Sequence, residues 1–154
     1  KVLIGGIAYP LDDSYMKALI KAGAFDYFDI MNIHVYTKSV WDARRIMTNT
    51  KNIIKWSGRD KPIWVTEVST TPDFFKSGNR GKEEKDKAEL LPKFYDLFFS
   101  QGVERVFWHT LRNCGKEAGM SKDFDFGLMT SDFRKLPVYD ALREFTEHAM
   151  IKAE

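Results

Sequence analysis

Four short apolar runs, each followed by a stretch with helical periodicity, divide this chain into four repeats of one pattern, and that alternation restricts its fold more than any other feature. Val2-Leu3-Ile4, Tyr27 to Tyr36, Lys61 to Ser69 and Val103 to His109 supply the runs. Their β-branched and aromatic residues favour extended chain, and Pro62 stands where a strand tolerates proline, at its start. The stretches between them carry apolar stripes. Tyr15, Met16, Leu19 and Ile20, ended by Gly23, form the first. Val40, Ala43, Ile46, Met47, Ile53 and Ile54 form the second, over a helix predicted from about Val40 to Trp56. Leu90, Leu91, Phe94, Leu97 and Phe98, closed by Gln101-Gly102, form the third, and the charged run Lys82 to Lys87 before it reads as a solvated loop and first helical turn. Pro137 opens a last helix to about Met150 that buries Leu142, Phe145 and Ala149. At 154 residues, 44% of them hydrophobic, the chain has enough apolar material for one domain with a core.

Strands alternating with helices predict an α/β fold with a parallel sheet, right-handed crossovers and functional groups at the strands' C-terminal ends. The polar residues collect there. Tyr9, His34, Tyr36, Glu67, Trp108 and His109 close the four strands, and the longest connections follow the third and fourth. Glu67 is the most demanding of them, because a carboxylate that ends an apolar run must be solvated, paired or used. Strict alternation puts it on one face with Ile63 and Val65, and puts Asn32, His34 and Tyr36 together on a face of the preceding strand. Val106 shares a face with Trp108, and His109 points the other way, as expected of a structural residue. A doubly wound sheet and a (β/α)8 barrel both suit this arrangement.

Charge narrows the possible partners. A formal net charge of +2, from 24 basic and 22 acidic residues without a long single-sign tract, argues against nucleic acid or an anionic membrane surface as partner. Gly5-Gly6 is not part of a GxGxxG or P-loop spacing, which removes the phosphate-loop reading. Cys114 is alone and the three histidines lack paired-ligand spacing, so neither a metal nor another cofactor is expected. The cellular compartment stays open.

At these strand ends the chain resembles the C-terminal half of the retaining glycoside hydrolases of clan A, which are (β/α)8 TIM barrels, nearest in pattern to the β-xylosidase and α-iduronidase branch. Lys1 to Gly6 resembles the fifth strand, Asp29 to Tyr36 with its His-x-Tyr ending the sixth, Pro62 to Ser69 the seventh and Val106 to His109 the eighth. Phe126 to Thr130 and Lys135 to Leu142 resemble the family's return from a loop into its final helix through a proline. The resemblance implies a single domain of four strand-helix units acting on a carbohydrate substrate. It makes Glu67 the catalytic nucleophile and Trp108 the wall beneath the bound sugar. His34 or Tyr36 would hold the carboxylate or a sugar hydroxyl, and Asn32 would belong to the binding set.

One departure qualifies that implication. The family's general acid/base is a Glu preceded by Asn on the fourth strand, and no Asn-Glu pair occurs in this sequence. Retaining hydrolysis needs two carboxyl groups about 5–5.5 Å apart. Asp123, Asp125, Glu83 and Glu84 could in principle approach Glu67 from loops, but loop carboxylates are usually just solvated and none of them is expected to be that second group. A complete barrel needs about 250 residues, so half a barrel is expected here, with an apolar sheet face left open. Its completion would come from a missing N-terminal half-barrel or a second copy of the chain. A non-catalytic sugar-binding or self-associating half-barrel is the alternative.

Overall fold

The computed structural model describes residues 1–8, 13–70, 77–114 and 125–151. In chain order these form helix α1 (Asp13–Lys21), a short 3-10 turn (Ala24–Asp26), strand β1 (Met31–Tyr36), helix α2 (Val40–Trp56), strand β2 (Ile63–Ser69), helix α3 (Arg80–Ser100), strand β3 (Val103–Trp108) and helix α4 (Pro137–Ile151). The three strands form one parallel sheet in the order β1-β2-β3. Local chemistry sets the boundaries. Ser39 caps α2 by accepting from the Asp42 amide, Asn79 caps α3 by accepting from the Lys82 amide, and Gly23 takes a φ of 73° just past α1.

The first run does not become a regular strand. Leu3 and Ile7 pair with Ile30 and Ile33 through isolated parallel bridges, four residues on one side against three on the other. The surplus falls across Gly5-Gly6. There the chain passes so close to the His34 ring that a Cβ on Gly6 would lie 2.0 Å from its Nε2.

One face of the sheet is covered. Ile33, Val35, Ile63, Val65, Val68 and Val103 pack with Met16 of α1, Met47 and Ile53 of α2, Leu91, Phe94 and Phe98 of α3 and Val138 of α4 in one core. Within the predicted helical stripes, Tyr15 and Ala149 prove exposed, and Val138 takes the buried position in α4. The opposite face is not apolar as expected. It carries Asn32, His34, Tyr36, Trp64, Thr66, Glu67 and Arg105 beside the exposed ring of Phe107. Trp64 Nε1 donates to Glu104 at 3.1 Å and the Arg105 guanidinium lies over the Trp64 ring, so polar groups pair across this surface.

The charged run Lys82 to Lys87 also departs from expectation. Lys82 to Lys87 lies wholly within the helix, and Glu83, Glu84 and Lys87 are buried instead of solvated. Glu83 accepts from the Ser77 and Gly78 amides and the Ser77 hydroxyl, while Lys87 reaches main-chain carbonyls of the 125–127 segment. Glu83 and Lys87 have thus found hydrogen-bond partners that a solvated loop would not need, whereas among the described residues Glu84 has only its ion pair with Arg80 and its two oxygens accept no hydrogen bond.

Candidate active site

Glu67 reaches the open face through an irregularity in β2. Ile33 pairs with Val65, but the next residue of β1, His34, pairs with Glu67, so Thr66 is an extra residue. Across β3, Val65 pairs with Val106 and Val68 with Trp108, which leaves the same surplus. This β-bulge breaks the expected alternation. Ile63, Val65 and Val68 face the helices, whereas Thr66 and Glu67 both turn to the side of Asn32, His34 and Tyr36.

At that rim the Tyr36 hydroxyl donates a short hydrogen bond to Glu67 Oε2, and His34 Nδ1 lies 3.2 Å from the same oxygen. Burial first, and then the hydrogen bond and negative charge of Glu67, hold the Tyr36 phenol far above its ordinary range. Tyr36 therefore stays protonated and donates at any physiological pH. Asn32 lies one layer deeper and accepts from Thr66 Oγ1 at 2.6 Å, fastening the bulge to β1. Ser69, the last residue of β2, donates to the Phe126 carbonyl at 3.2 Å.

Trp108 takes a different place. Its partner Val68 is fully buried, its ring packs against the core, and its Nε1 donates to the Phe126 carbonyl at 2.9 Å. His109 is the residue of that strand end that faces Tyr36, with an edge-on ring contact of 5.9 Å between centroids. Phe126 completes the cluster at 5.0 Å from Tyr36 and 6.0 Å from His109. The peptide bond between His109 and Thr110 is cis. Tyr9 lies outside the described residues.

Residues 9–131 match the Glycosyl hydrolase catalytic core family. The chain belongs to that family. No curated protein gives a significant match. Among solved structures, xylanase 10B from Thermotoga petrophila RKU-1 in complex with xylobiose is similar at 19% identity and a TM-score of 0.62, over 88% of this chain and 42% of that one. A family 39 glycoside hydrolase from Bacteroides cellulosilyticus WH2 is similar at 20% identity and a TM-score of 0.59, over 84% and 29%. A family 128 (subgroup I) endo-β-1,3-glucanase from Amycolatopsis mediterranei in complex with laminaritriose is similar at 19% identity and a TM-score of 0.62, over 93% and 57%. This glycosyl hydrolase core thus spans between about a third and three fifths of the structures it matches, and its α/β architecture corresponds to part of a TIM-barrel glycoside hydrolase.

Within the glycosyl hydrolase core, Glu83, Glu84 and Asp125 already have other partners. Glu83 caps the turn before α3, and the hydroxyl of Ser77 in particular keeps its carboxyl below the usual range. Arg80 pairs with Asp125 and lies 3.1 Å from Glu84, whose carboxyl is held above the usual range by burial. Asp123 lies outside the described residues. Among the described residues no group of three or more His, Cys, Asp or Glu is placed to hold a metal ion, and no helix is long and apolar enough to cross a membrane. Sequence reading placed His109 at the strand ends and on the face opposite Trp108, but as a structural residue, and the structure sets it against Tyr36. It missed Phe126 and Thr66 as parts of this rim, because both depend on pairings that only the folded chain displays.

Proposed function

We propose that Glu67 is the nucleophile of a retaining glycoside hydrolase and that this chain carries the nucleophile half of its barrel. The observation that carries the reading is the convergence of the Tyr36 hydroxyl and His34 Nδ1 on Glu67 Oε2 at the C-terminal ends of adjacent parallel strands. With one oxygen held from two sides, Oε1 is the atom directed at the anomeric carbon. Its attack forms a glycosyl ester and breaks the bond to the leaving group, which takes a proton from the general acid; water then cleaves the ester with that residue acting as base. A neutral Tyr36 stabilises Glu67 as an anion and follows the charge as it is consumed. The aromatic surface beside the carboxylate, built from His109 and Phe126 and held by Trp108, offers the apolar contact a sugar's C–H face needs. Asn32 acts from beneath, through Thr66, on the placement of Glu67.

The second carboxyl comes from the remainder of a barrel, supplied by a missing N-terminal half or by a second copy, which also covers the open face of the sheet. The test is an intact-mass measurement of the chain with a panel of activated 2-deoxy-2-fluoro xylosides, glucosides, mannosides and uronides, beside Glu67→Gln. A good leaving group needs no acid in the first step. A covalent adduct that is lost in Glu67→Gln is the expected result. A folded chain that gives no adduct with any sugar would refute a nucleophile organised within this chain.

A further inference from the structure

Lys87 is fully buried in α3, far along the sequence from the rim, yet its Nζ donates to the carbonyls of Asp125 and Gly127, each at 2.8 Å. These two carbonyls flank Phe126. The carbonyl between them, that of Phe126 itself, receives Trp108 Nε1 and the Ser69 hydroxyl, and the Gly127 amide donates to Asn113 Oδ1 at 2.6 Å. Three consecutive peptide units are thus fixed from α3, β2 and β3. The ring they aim lies 5.0 Å from Tyr36, the residue that donates to Glu67.

A lysine is a costly way to tie down a loop, because an ammonium loses its hydration when buried. Burial brings the Lys87 ammonium down to about 8, against the pull of Glu84 and Asp125 and with that of Arg80. We propose that Lys87 is a positioning residue for the Tyr36–Glu67 pair, acting through the main chain of residues 125–127 and the Phe126 ring. The inference rests on the reading of Glu67 as nucleophile for its purpose, but its test does not use turnover. If Lys87 only fastened the segment to α3, the environment of Tyr36 would be indifferent to it.

The test is a pH titration of the whole chain carrying ring-labelled tyrosine, followed by NMR, with Tyr36→Phe assigning the signal. In the wild type the Tyr36 phenol, held up by burial and by Glu67, stays protonated well above the range in which an exposed tyrosine titrates, near about 10. Lys87→Met keeps the volume and donates nothing. It is expected to release Phe126, expose Tyr36 and lower its titration by about one pH unit or more, with Lys87→Arg, which keeps donors, falling between. Phe126→Ala should produce a shift of the same sign. If Lys87→Met does not fold, Lys87→Gln, whose amide still donates but reaches less far, carries the same readout. An unchanged Tyr36 titration in the folded Lys87 variant, or in Phe126→Ala, overturns the proposal. Failure of Glu67 to be labelled by a fluoro-sugar would instead count against the glycosidase reading and leave this result standing.

Discussion

A methyl group at Gly6 would lie 2.0 Å from His34 Nε2, 2.3 Å from Cε1 and 2.7 Å from Cδ2. Heavy atoms in good contact sit about 3.5–4.0 Å apart, so the overlap is about 0.8 Å at Cδ2 and exceeds an ångström at Nε2 and Cε1. A small shift cannot relieve it. The imidazole must turn away, and that motion carries Nδ1 off Glu67 Oε2, which it now approaches to 3.2 Å. Gly6→Ala should therefore cost about 1–3 kcal/mol by the general penalty for overfilling a packed site. The lost contact with the carboxylate accounts for no more than about 1 kcal/mol of this, since both side chains are partly exposed. Urea unfolding at neutral pH measures the total. Gly5 provides the control, because a Cβ there meets nothing within 4 Å, and Gly5→Ala should change stability by less than about 0.5 kcal/mol. The decisive comparison is a double-mutant cycle with His34→Ala. Once the ring is gone the methyl group has room, so Gly6→Ala on that background should cost less than about 0.5 kcal/mol, a coupling of about 0.5–3 kcal/mol. An equal cost in both backgrounds would refute the argument that Gly6 exists to admit His34.

Three further outcomes follow from the same rim. Gly127→Ala would bring a methyl group to 2.5 Å from both the amide nitrogen and Oδ1 of Asn113, and because one of these is backbone, the cost should reach about 2–3 kcal/mol in urea unfolding. Thr66→Val removes the donor to the buried Asn32 carbonyl oxygen and should cost about 1–2 kcal/mol, while Thr66→Ser, which keeps the hydroxyl, should recover most of it in the same assay. Tyr36→Phe should flatten the alkaline loss of stability: the folded phenol is held far above the ordinary value of about 10, so above that pH the unfolded chain has released a proton that the folded chain retains, and stability falls as pH rises. Comparing urea midpoints of wild type and Tyr36→Phe at about pH 9 and about pH 10.5 isolates this slope. Tyr95, pushed up to about 12 by burial, contributes in the same direction to both proteins, and Lys87, brought down to about 8, contributes in the opposite one.

The helices were legible because their signals are local. The apolar spacing from Val40 to Trp56 and the cap at Ser39 belong to consecutive residues, and α2 runs over the predicted span. Pro137 likewise opens α4 where proline suits a first helical turn. The burial of Lys87 was harder to foresee, since a run of charges normally marks a solvated face. One positional clue existed: Lys87 stands four residues before Leu91 and seven before Phe94, on the stripe that enters the core. What it meets there, the 125–127 carbonyls, lies some forty residues away and leaves no trace in periodicity. The face of Glu67 was misread for a related reason. Alternation counts residues along one strand, whereas a bulge is defined by the strand beside it, and Thr66 is neither the glycine nor the proline that would have marked one.

That bulge has a consequence for how the site relates to the fold. Val65 and Val68 are both fully buried beneath the helices, three residues apart, which no regular strand permits with period two. Thr66 is surplus against β1 and against β3 alike, so neither neighbour's pairing requires it. Without it, Val65, Glu67 and Val68 would alternate normally and each would still face as it does. With Thr66 in the chain, it is the bulge that keeps Val65 and Val68 beneath the helices and Glu67 on the open face opposite His34. Thr66 then spends its hydroxyl on Asn32, so the irregularity is fastened in place from the adjacent strand. A distortion that the sheet does not need, that is pinned by a buried side chain and that sets the face of one acidic group belongs to the site. The glycine that admits His34 and the lysine that fixes Phe126 act on the same carboxylate from two other directions.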